Sequence, residues 1–305
     1  MESPQIEEKA DTILHYTTLE GLKGILESGS LWASDIRFLN DIQEFKSGKK
    51  TFRDHLCSEY LKLDKISQDE AAHLANNISE VVFGGAESNI ALLSTSFCSV
   101  PGGSYDAKNG LLSQWRGYGG KTGVAIVFER SSIDALVKKQ QASTTSFTLI
   151  HSDVAYGEDW KKTTLASYVS EKMHIFLDKD FVSKIRNPPV SPEIFDASLR
   201  VAMAFGMFIK HWAFHEEKEF RIAVIKSFKS QQTGEQDRLP VRFRVNGQFV
   251  IPYVELFKES ERLPVSGVII GPATNQAGVK AGVEIYARSL GYNFPVTISE
   301  TPYRG

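Results

Sequence analysis

Three carboxylates, Glu216, Glu217 and Glu219, crowd into the four residues that precede an apolar run at 220–225, which is typical of a buried strand. Like charges at this spacing repel each other, and a strand does not need them in order to form. In an extended chain Glu217 and Glu219 lie on one face, and Arg221 continues that face. Two interpretations are open: a salt-bridged sheet surface, or a carboxylate that stabilises positive charge in a transition state. We expect Glu219 to point inward and its neighbours to stay solvated.

Residues 15–17 are the second candidate segment. His15, Tyr16 and Thr17 end a predicted strand directly before a predicted helix. A helix N-terminus favours an anion, and the imidazole of His15 can donate to a ligand hydroxyl or carbonyl group. The structural alternative is a histidine whose partners are backbone groups, with Thr17 serving as the helix cap in a Thr17-x-x-Glu20 capping box.

The third segment is the triplet Ser94, Thr95 and Ser96, which closes an apolar run that begins at Ile90. Successive side chains of a strand point to opposite faces, so at least one of these hydroxyls faces inward or toward a cleft. A buried hydroxyl needs a hydrogen-bonding partner. Cross-strand pairing of Ser and Thr explains the triplet about as well as ligand contact does.

The fourth segment sets two aromatic residues beside a guanidinium group, ahead of a glycine-rich turn and a buried strand. Its members are Gln114, Trp115, Arg116 and Tyr118. This combination suits stacking on a planar ring and holding a phosphate group. Trp and Tyr are, however, more often core residues than cofactor contacts.

The charge balance disfavours one class of ligand. The 305 residues include 35 basic and 37 acidic ones, for a formal net charge of -2. No basic excess exists to neutralise a long phosphate backbone, so binding to extended duplex nucleic acid is disfavoured.

Two cysteines make no disulfide framework, the first residues are not typical of a secretory signal, and no apolar run has the length of a membrane span. We expect a cytoplasmic protein with no membrane partner.

Several familiar sites find no support in the sequence. Neither G-x-G-x-x-G after a strand nor G-x-x-x-x-G-K-[ST] is present, which argues against Rossmann and P-loop sites. No G-x-S-x-G elbow supports Ser-His-Asp hydrolysis. His211 and His215 are spaced i, i+4, but no third ligand accompanies them, so no metal site is predicted.

The predicted elements indicate the fold class. Strands are predicted at 13–17, 89–97 and 123–129, and again on both sides of the hairpin signal Asn246-Gly247. Helices intrude between the strands without a regular βαβ alternation. This order predicts an α+β fold with mixed or antiparallel pairing. We expect a single domain over residues 1–305.

The order of the first-strand histidine, the Ser-Thr-Ser strand and the later Glu-x-Glu resembles the ADP-ribosyltransferase superfamily. Other stretches resemble a bacterial family of unknown function, number twenty-nine seventy-one, over nearly the whole chain. They are HYTTLEGLKGILESGSLWASDIRFLNDIQE, QWRGYG with GVAIVF, EKEFR, IPYVEL, GVIIGP and SETPYR. The resemblance implies an ADP-ribosyltransferase-like split sheet, mixed or antiparallel, with inserted helices near 42–82 and 158–212. It also implies an NAD+-consuming ADP-ribosyltransferase or NAD+ glycohydrolase that serves as a bacterial toxin or in anti-phage defence.

The same resemblance implies residue roles. Glu219, within Glu217-x-Glu219, would accept a hydrogen bond from the ribose 2′-hydroxyl and stabilise the oxocarbenium-like state as nicotinamide leaves. His15 would bind the adenosine-side ribose or the nicotinamide amide, and Ser94 or Ser96 would support the nicotinamide ribose. The full set of NAD+ contacts is His15, Tyr16, Thr17, Asn40, Asp41, Ser94, Ser96, Trp115, Arg116, Tyr118 and Arg221. Asp41 or Glu44 is the alternative to Glu219 as the key carboxylate.

Two other functional classes stay open. One is a nucleotide-binding sensor that has the pocket but no turnover. The other is a nuclease or nucleic-acid-modifying enzyme with a local basic patch, drawn from Lys49, Lys50, Arg53, Lys161 and Lys162. The expected partners are NAD+, an ADP-ribose acceptor (protein, nucleic acid, small molecule or water), and an antitoxin or phage-derived trigger.

Overall fold

The computed structural model describes residues 11–38, 42–63, 66–118, 122–143, 147–178, 192–227, 237–260 and 262–302. The strands are β1 (Thr12–Thr18), β2 (Leu31–Asp35), β3 (Ile90–Val100), β4 (Gly123–Glu129), β5 (Thr148–Asp153), β6 (Ala155–Tyr156), β7 (Ile209–Lys210), β8 (Glu219–Ser227), β9 (Arg242–Asn246), β10 (Phe249–Leu256), β11 (Val265–Ile270) and β12 (Val296–Ile298). The helices are α1 (Leu19–Ser28), α2 (Ile42–Tyr60), α3 (Gln68–Asn89), α4 (Tyr105–Asn109), α5 (Leu112–Tyr118), α6 (Arg130–Ala142), α7 (Thr164–Lys172), α8 (His174–Leu177), α9 (Pro192–Phe208) and α10 (Gln276–Ser289). Short 3-10 helices span Ile36–Phe38, Gly157–Lys162 and Trp212–Glu217.

Ten of the described strands form one mixed sheet. The order along its main path is β12-β11-β4-β1-β3-β2-β10-β9, and β8 joins β3 to β5. The pairs are antiparallel except for β11 with β12, which is parallel. The remaining strands, β6 and β7, form a short parallel pair. The prediction of a mixed sheet with helices among the strands is therefore confirmed.

The sheet divides at β3. One edge of β3 pairs with β8 along its length, from Ile90 to Cys98. The other edge pairs with two strands in succession, with β2 at Leu93 and Ser94 and with β1 from Cys98 to Val100. At residues 95–97 neither β1 nor β2 pairs with this edge, so the two strands diverge and a wedge opens between them.

Apolar side chains cover both faces of the sheet, because consecutive apolar residues of a strand point to opposite faces. On β3, Leu92 packs into a core with α2, α3 and α7–α9, whereas Ala91 and Leu93 pack into a second core with α1, α6 and α10. The first core holds aromatic pairs such as Phe52 against Phe205, whose ring centroids are 5.5 Å apart. The helices near 42–82 and 158–212 thus pack together as one layer.

Local sequence features bound two of the helices as expected from their residue types, and the predicted cap of α1 is shifted by one residue. Gly29 ends α1 in the left-handed region at φ 62°. The capping box that begins at Ser67 is present at the start of α3. The predicted Thr17 cap is wrong, because Thr18 accepts the hydrogen bond from the Gly21 amide. β1 therefore extends one residue further than the sequence pattern predicted.

The hairpin predicted at Asn246-Gly247 joins β9 to β10, with Gly247 at φ 59°. α9 ends at Phe208, and the chain then enters β7. Among the described residues, none of the helices combines the length and apolar composition that a bilayer span requires.

Candidate functional site

A cleft of about 310 Å³ lies at the wedge, bordered by β1, β2 and β3. All four of the candidate segments predicted from the sequence reach it. The predicted residues that line it are His15, Tyr16, Ser94, Ser96, Tyr118, Glu217 and Glu219. The residues that border the cleft without having been predicted as contacts include Trp32, Ser34, Cys98, Lys210 and Arg244.

His15 is held by the backbone of β3. Its Nδ1 lies 3.0 Å from the Ser96 carbonyl oxygen. Because a carbonyl oxygen only accepts, Nδ1 carries the proton, and Nε2 of the neutral ring is an acceptor. Burial lowers the pKa of His15 and outweighs the opposing effect of this hydrogen bond, so the ring is neutral at pH 7. His15 is thus suited to accept from a ligand hydroxyl, whereas its predicted donor already serves Ser96.

Two hydroxyls of the Ser-Thr-Ser triplet are buried without a partner. Ser94 is 3% exposed and Thr95 is 4% exposed. Neither hydroxyl oxygen has a hydrogen-bonding partner among the described residues. Such groups carry a desolvation cost that a bound ligand would relieve. Of the two explanations offered for the triplet, these hydroxyls favour ligand contact over cross-strand pairing.

Three carboxylates and two cations form a buried cluster at the cleft, which we call the ion cluster. Its members are Glu44, Lys210, Glu217, Glu219 and Arg221. Lys210 Nζ lies 3.0 Å from Glu44, 2.7 Å from Glu217 and 2.7 Å from Glu219. Arg221 Nε lies 2.7 Å from Glu219, and its Nη2 lies 3.2 Å from Glu44. Three negative and two positive charges leave the cluster with a formal charge of -1 when all are ionised.

Glu219 is the most enclosed of these carboxylates. Its side chain is 4% exposed, in agreement with the expectation that it points inward. Burial alone would raise the pKa of Glu219, but the charges of Arg221 and Lys210 lower it to about 2. The Tyr156 hydroxyl accepts from the Glu219 amide at 2.9 Å, and the Glu219 carbonyl accepts from Val154 at 2.8 Å. Glu219 is therefore a fixed anion.

The backbone at Glu217 is not extended, which differs from the expectation that Glu217 and Glu219 share one face of a strand. It ends the 3-10 helix Trp212–Glu217, and Lys218 turns the chain through a left-handed conformation at φ 46° before β8 begins at Glu219. Glu217 still meets the ion cluster, because its Oε2 lies 2.7 Å from Lys210. Its side chain is 21% exposed, so it is the more accessible of the two predicted carboxylates. Glu216 is exposed, as expected.

Cys98 borders the cleft but is unsuited to nucleophilic chemistry. It is buried, and burial together with the nearby charges of Glu219 and Glu217 raises the pKa of its thiol well above the usual value. The reactive form of a cysteine is the thiolate. Cys98 is accordingly a protonated wall residue.

Several predicted contacts do not line the cleft. Trp115 is 1% exposed, donates from its indole to the Asn109 carbonyl oxygen at 2.9 Å and packs edge-on against Tyr16, so it supports the wall from behind. Thr17 and the exposed Arg116 are also absent from the lining. Arg221 acts through the ion cluster. The predicted contacts Asn40 and Asp41 lie outside the described residues.

The histidine pair His211 and His215 has a structural role. The two residues lie in and beside a 3-10 helix, so the α-helical i, i+4 geometry is lost. The His215 ring stacks on Trp212 at 4.8 Å, and His211 Nδ1 accepts from the Ala213 amide. Over the described ranges, no group of three or more His, Cys, Asp or Glu side chains is placed to hold a metal ion.

Two of the unpredicted residues left signals in the sequence. Lys210 closes the apolar run 201–209 a few residues before the three carboxylates, a position that calls for a buried ion pair. Arg244 alternates with Arg242 on a strand of the hairpin, which places both on one face.

Comparisons with known proteins give a family match over part of the chain and no match that indicates an activity. A family model described as "Protein of unknown function (DUF2971)" matches residues 114–222. This segment contains Lys210, Glu217 and Glu219, and the match supports the resemblance to that family over this part of the chain. Among curated proteins and among solved structures, none matches.

Proposed function

We propose that the chain consumes NAD+ in this cleft, either transferring ADP-ribose to an acceptor or hydrolysing the nicotinamide–ribose bond. The observation that carries the proposal is the convergence of His15, Ser94, Ser96 and the Glu217/Glu219 pair on one cleft. These are the motifs on which the resemblance to ADP-ribosyltransferases rests, and they are far apart in the sequence. The division of the sheet at β3 further supports the split sheet that the resemblance implies.

The charge of the ion cluster suits this reaction. When the bond between nicotinamide and ribose breaks, its electron pair leaves with nicotinamide and positive charge develops on the ribose. A fixed anionic environment stabilises that charge without reorganising. Water or an acceptor nucleophile then bonds to the same ribose carbon and releases a proton.

We assign separate roles to the two carboxylates. Glu217 is accessible, so it is the group that contacts the ribose hydroxyl. Glu219 is held by Lys210 and Arg221, so it positions Lys210 and thereby Glu217. His15 Nε2 accepts from a second ribose hydroxyl.

The cleft also offers groups that fit NAD+ as a co-substrate. The buried hydroxyls of Ser94 and Thr95 and the half-buried guanidinium of Arg244 have unused hydrogen-bonding capacity among the described residues. NAD+ carries ribose hydroxyls and phosphate oxygens that can use it. The exposed Tyr118 offers an aromatic surface for a planar ring.

The direct test measures nicotinamide release from NAD+ by the purified protein, alone and with cell lysate as a source of acceptor. We expect Glu217→Gln to reduce the rate by about 100-fold to 1,000-fold, as for other groups that stabilise developing charge. Glu216→Gln is the matched control, because that neighbouring carboxylate is exposed, and its rate should stay unchanged. The proposal is wrong if the wild type releases no nicotinamide under either condition and NAD+ does not raise its melting temperature.

One observation favours a second candidate. Because each carboxylate oxygen of Glu219 lies 2.7 Å from a cationic nitrogen, the same cleft could bind a nucleotide as a sensor without turning it over. In that case NAD+ would raise the melting temperature of wild type and Glu217→Gln alike, with no nicotinamide released by either.

The nucleic-acid alternative is weakened by the pairing of its basic residues. Lys49 lies 2.9 Å from Glu80, Lys50 lies 2.9 Å from Asp54, and Lys161 lies 2.5 Å from Glu158. These contacts reduce the positive potential that a phosphate backbone would need. The toxin or anti-phage role remains a proposal that rests on the resemblance.

A further inference from the structure

We infer that Arg244, with Ser34 and Trp32, forms a subsite for the phosphate groups of a nucleoside diphosphate. The subsite lies on strands β2, β10 and β9, which we call the wing. The identification of this nucleoside diphosphate as part of NAD+ rests on the proposed function. The preference for phosphate groups rests on the contacts and surroundings of Arg244 alone.

The pairing register places the subsite residues on one face of the wing. Ser34 on β2 is opposite Tyr253 on β10, and Trp32 lies two residues before Ser34. Arg244 on β9 is opposite Ile251, two residues before Tyr253. Residues two apart on a strand share a face, as do residues directly opposite each other. Trp32, Ser34 and Arg244 all border the cleft.

Over the part of the chain that the structure describes, no carboxylate pairs with Arg244, although a half-buried guanidinium ordinarily has such a partner. Its Nη2 donates to the Ser34 hydroxyl at 3.3 Å, and its Nε is buried without a partner among the described residues. Arg242, two residues earlier on the same strand, instead pairs with Glu255 at 2.8 Å. A guanidinium fork binds phosphate oxygens in a bidentate fashion, and this one has that capacity available.

The surroundings of Arg244 indicate a nucleotide phosphate. The Trp32 ring is 41% exposed and lies 4.5 Å from the Tyr253 ring at an angle of 32°, which offers a flat surface for a base. The ion cluster elsewhere in the cleft is net negative and favours the sugar that becomes cationic. A ligand that extends from the ion cluster to the wing would therefore carry its negative charge at the Arg244 end.

Calorimetric titration of ADP and adenosine tests the subsite without any turnover. In Arg244→Gln we expect ADP to bind about 10-fold to 100-fold more weakly, while adenosine binds as it does to the wild type. Arg244→Lys keeps the charge but loses the fork, so it should give an intermediate loss for ADP. Arg242→Gln is the matched control on the same strand and should leave both affinities unchanged.

Three results would overturn the subsite: no ADP binding by the wild type, an Arg244→Gln affinity for ADP equal to that of the wild type, or equal losses for ADP and adenosine. The outcome is separable from that of the proposed enzyme. ADP binding that depends on Arg244 in a protein that releases no nicotinamide would refute only the NAD+-consuming activity. Nicotinamide release together with ADP binding that is indifferent to Arg244→Gln would refute only the subsite.

Discussion

The ion cluster and the wing border the same cleft but use their polar groups in opposite ways. In the ion cluster, the buried charges of Lys210, Glu219 and Arg221 are paired by the fold itself. On the wing, Arg244 has a single hydroxyl partner and a buried nitrogen without one among the described residues. The charges of the ion cluster are thus paired with one another, whereas Arg244 on the wing has hydrogen-bonding capacity available for a ligand.

This difference separates stability from binding. Burying an unpaired ion costs several kcal/mol, so the ions of the cluster must be paired in the packed protein. An unsatisfied group at the edge of a cleft costs less, and a ligand that pairs with it recovers that cost on binding. We therefore expect substitutions of the enclosed members of the ion cluster, Glu219 and Arg221, to affect mainly folding, and substitutions on the wing to affect mainly affinity.

The largest effect should follow removal of the buried guanidinium. Arg221→Met has a similar volume but leaves Glu219 and Glu44 with less compensation. We expect the free energy of unfolding to fall by about 3 to 5 kcal/mol, measured by urea denaturation at pH 7. Arg242→Met is the matched control, because Arg242 is 47% exposed and its pair with Glu255 should contribute about 0 to 1 kcal/mol. Equal losses in the two variants would contradict the distinction between the two regions.

A somewhat smaller effect should be visible in the dependence of stability on pH. The pKa of Glu219 is lowered to about 2 in the folded protein, from an ordinary value of 4.5. A lowered pKa contributes stability that is fully present above pH 4.5 and is lost as the pH falls toward 2. The contribution at neutral pH is on the order of 3 kcal/mol.

Glu219→Gln checks this assignment. Because glutamine cannot titrate, the variant should be less stable at pH 7, and its free energy of unfolding should change less than that of the wild type between pH 4.5 and pH 2. Glu216→Gln, an exposed neighbour, should follow the wild-type curve. A Glu219→Gln curve parallel to the wild type would show that the acid sensitivity arises elsewhere.

The two regions also differ in how far the sequence predicted them. His15, the Ser-Thr-Ser triplet and Glu219 were found because polar residues at the ends of apolar strands are unusual, and the structure brings them to one cleft. Arg244 lay in an alternating hairpin strand, where charges on a solvated face are ordinary. Only the pairing of β10 with β2 brings Arg244 to Ser34, and sequence spacing does not contain that long-range contact.

Tertiary context also explains the errors within predicted segments. Trp115 looked like a stacking surface, but its indole reaches the Asn109 carbonyl oxygen and its ring packs where a side chain at Gly110 or Gly271 would clash. Glu217 and Glu219 were expected to share a strand face, but the left-handed turn at Lys218 separates them and Lys210 reunites their carboxylates. Lys210, which was not predicted as a site residue, is the cation that connects the two carboxylates.

The smallest expected effect on the free energy of unfolding comes from the removal of single hydroxyl groups, and the sign of this effect distinguishes a ligand-binding hydroxyl from a structural one. Ser94 is buried in the cleft and its hydroxyl has no partner among the described residues. Ser94→Ala should therefore leave the free energy of unfolding within about 0.5 kcal/mol of the wild type, or raise it slightly, because a desolvated donor is removed.

Ser299 is the matched comparison for Ser94. It is equally buried, but its hydroxyl donates to the Asn109 carbonyl oxygen at 2.6 Å and accepts from the Thr301 amide at 3.2 Å. Ser299→Ala should cost about 1 kcal/mol, the net contribution of a satisfied hydrogen bond. Calorimetry of NAD+ binding should give the reverse order, with Ser94→Ala weakening affinity and Ser299→Ala leaving it unchanged. A cost for Ser94→Ala as large as that for Ser299→Ala would mean that the Ser94 hydroxyl serves the fold, and the cleft would then lose one of its ligand-binding groups.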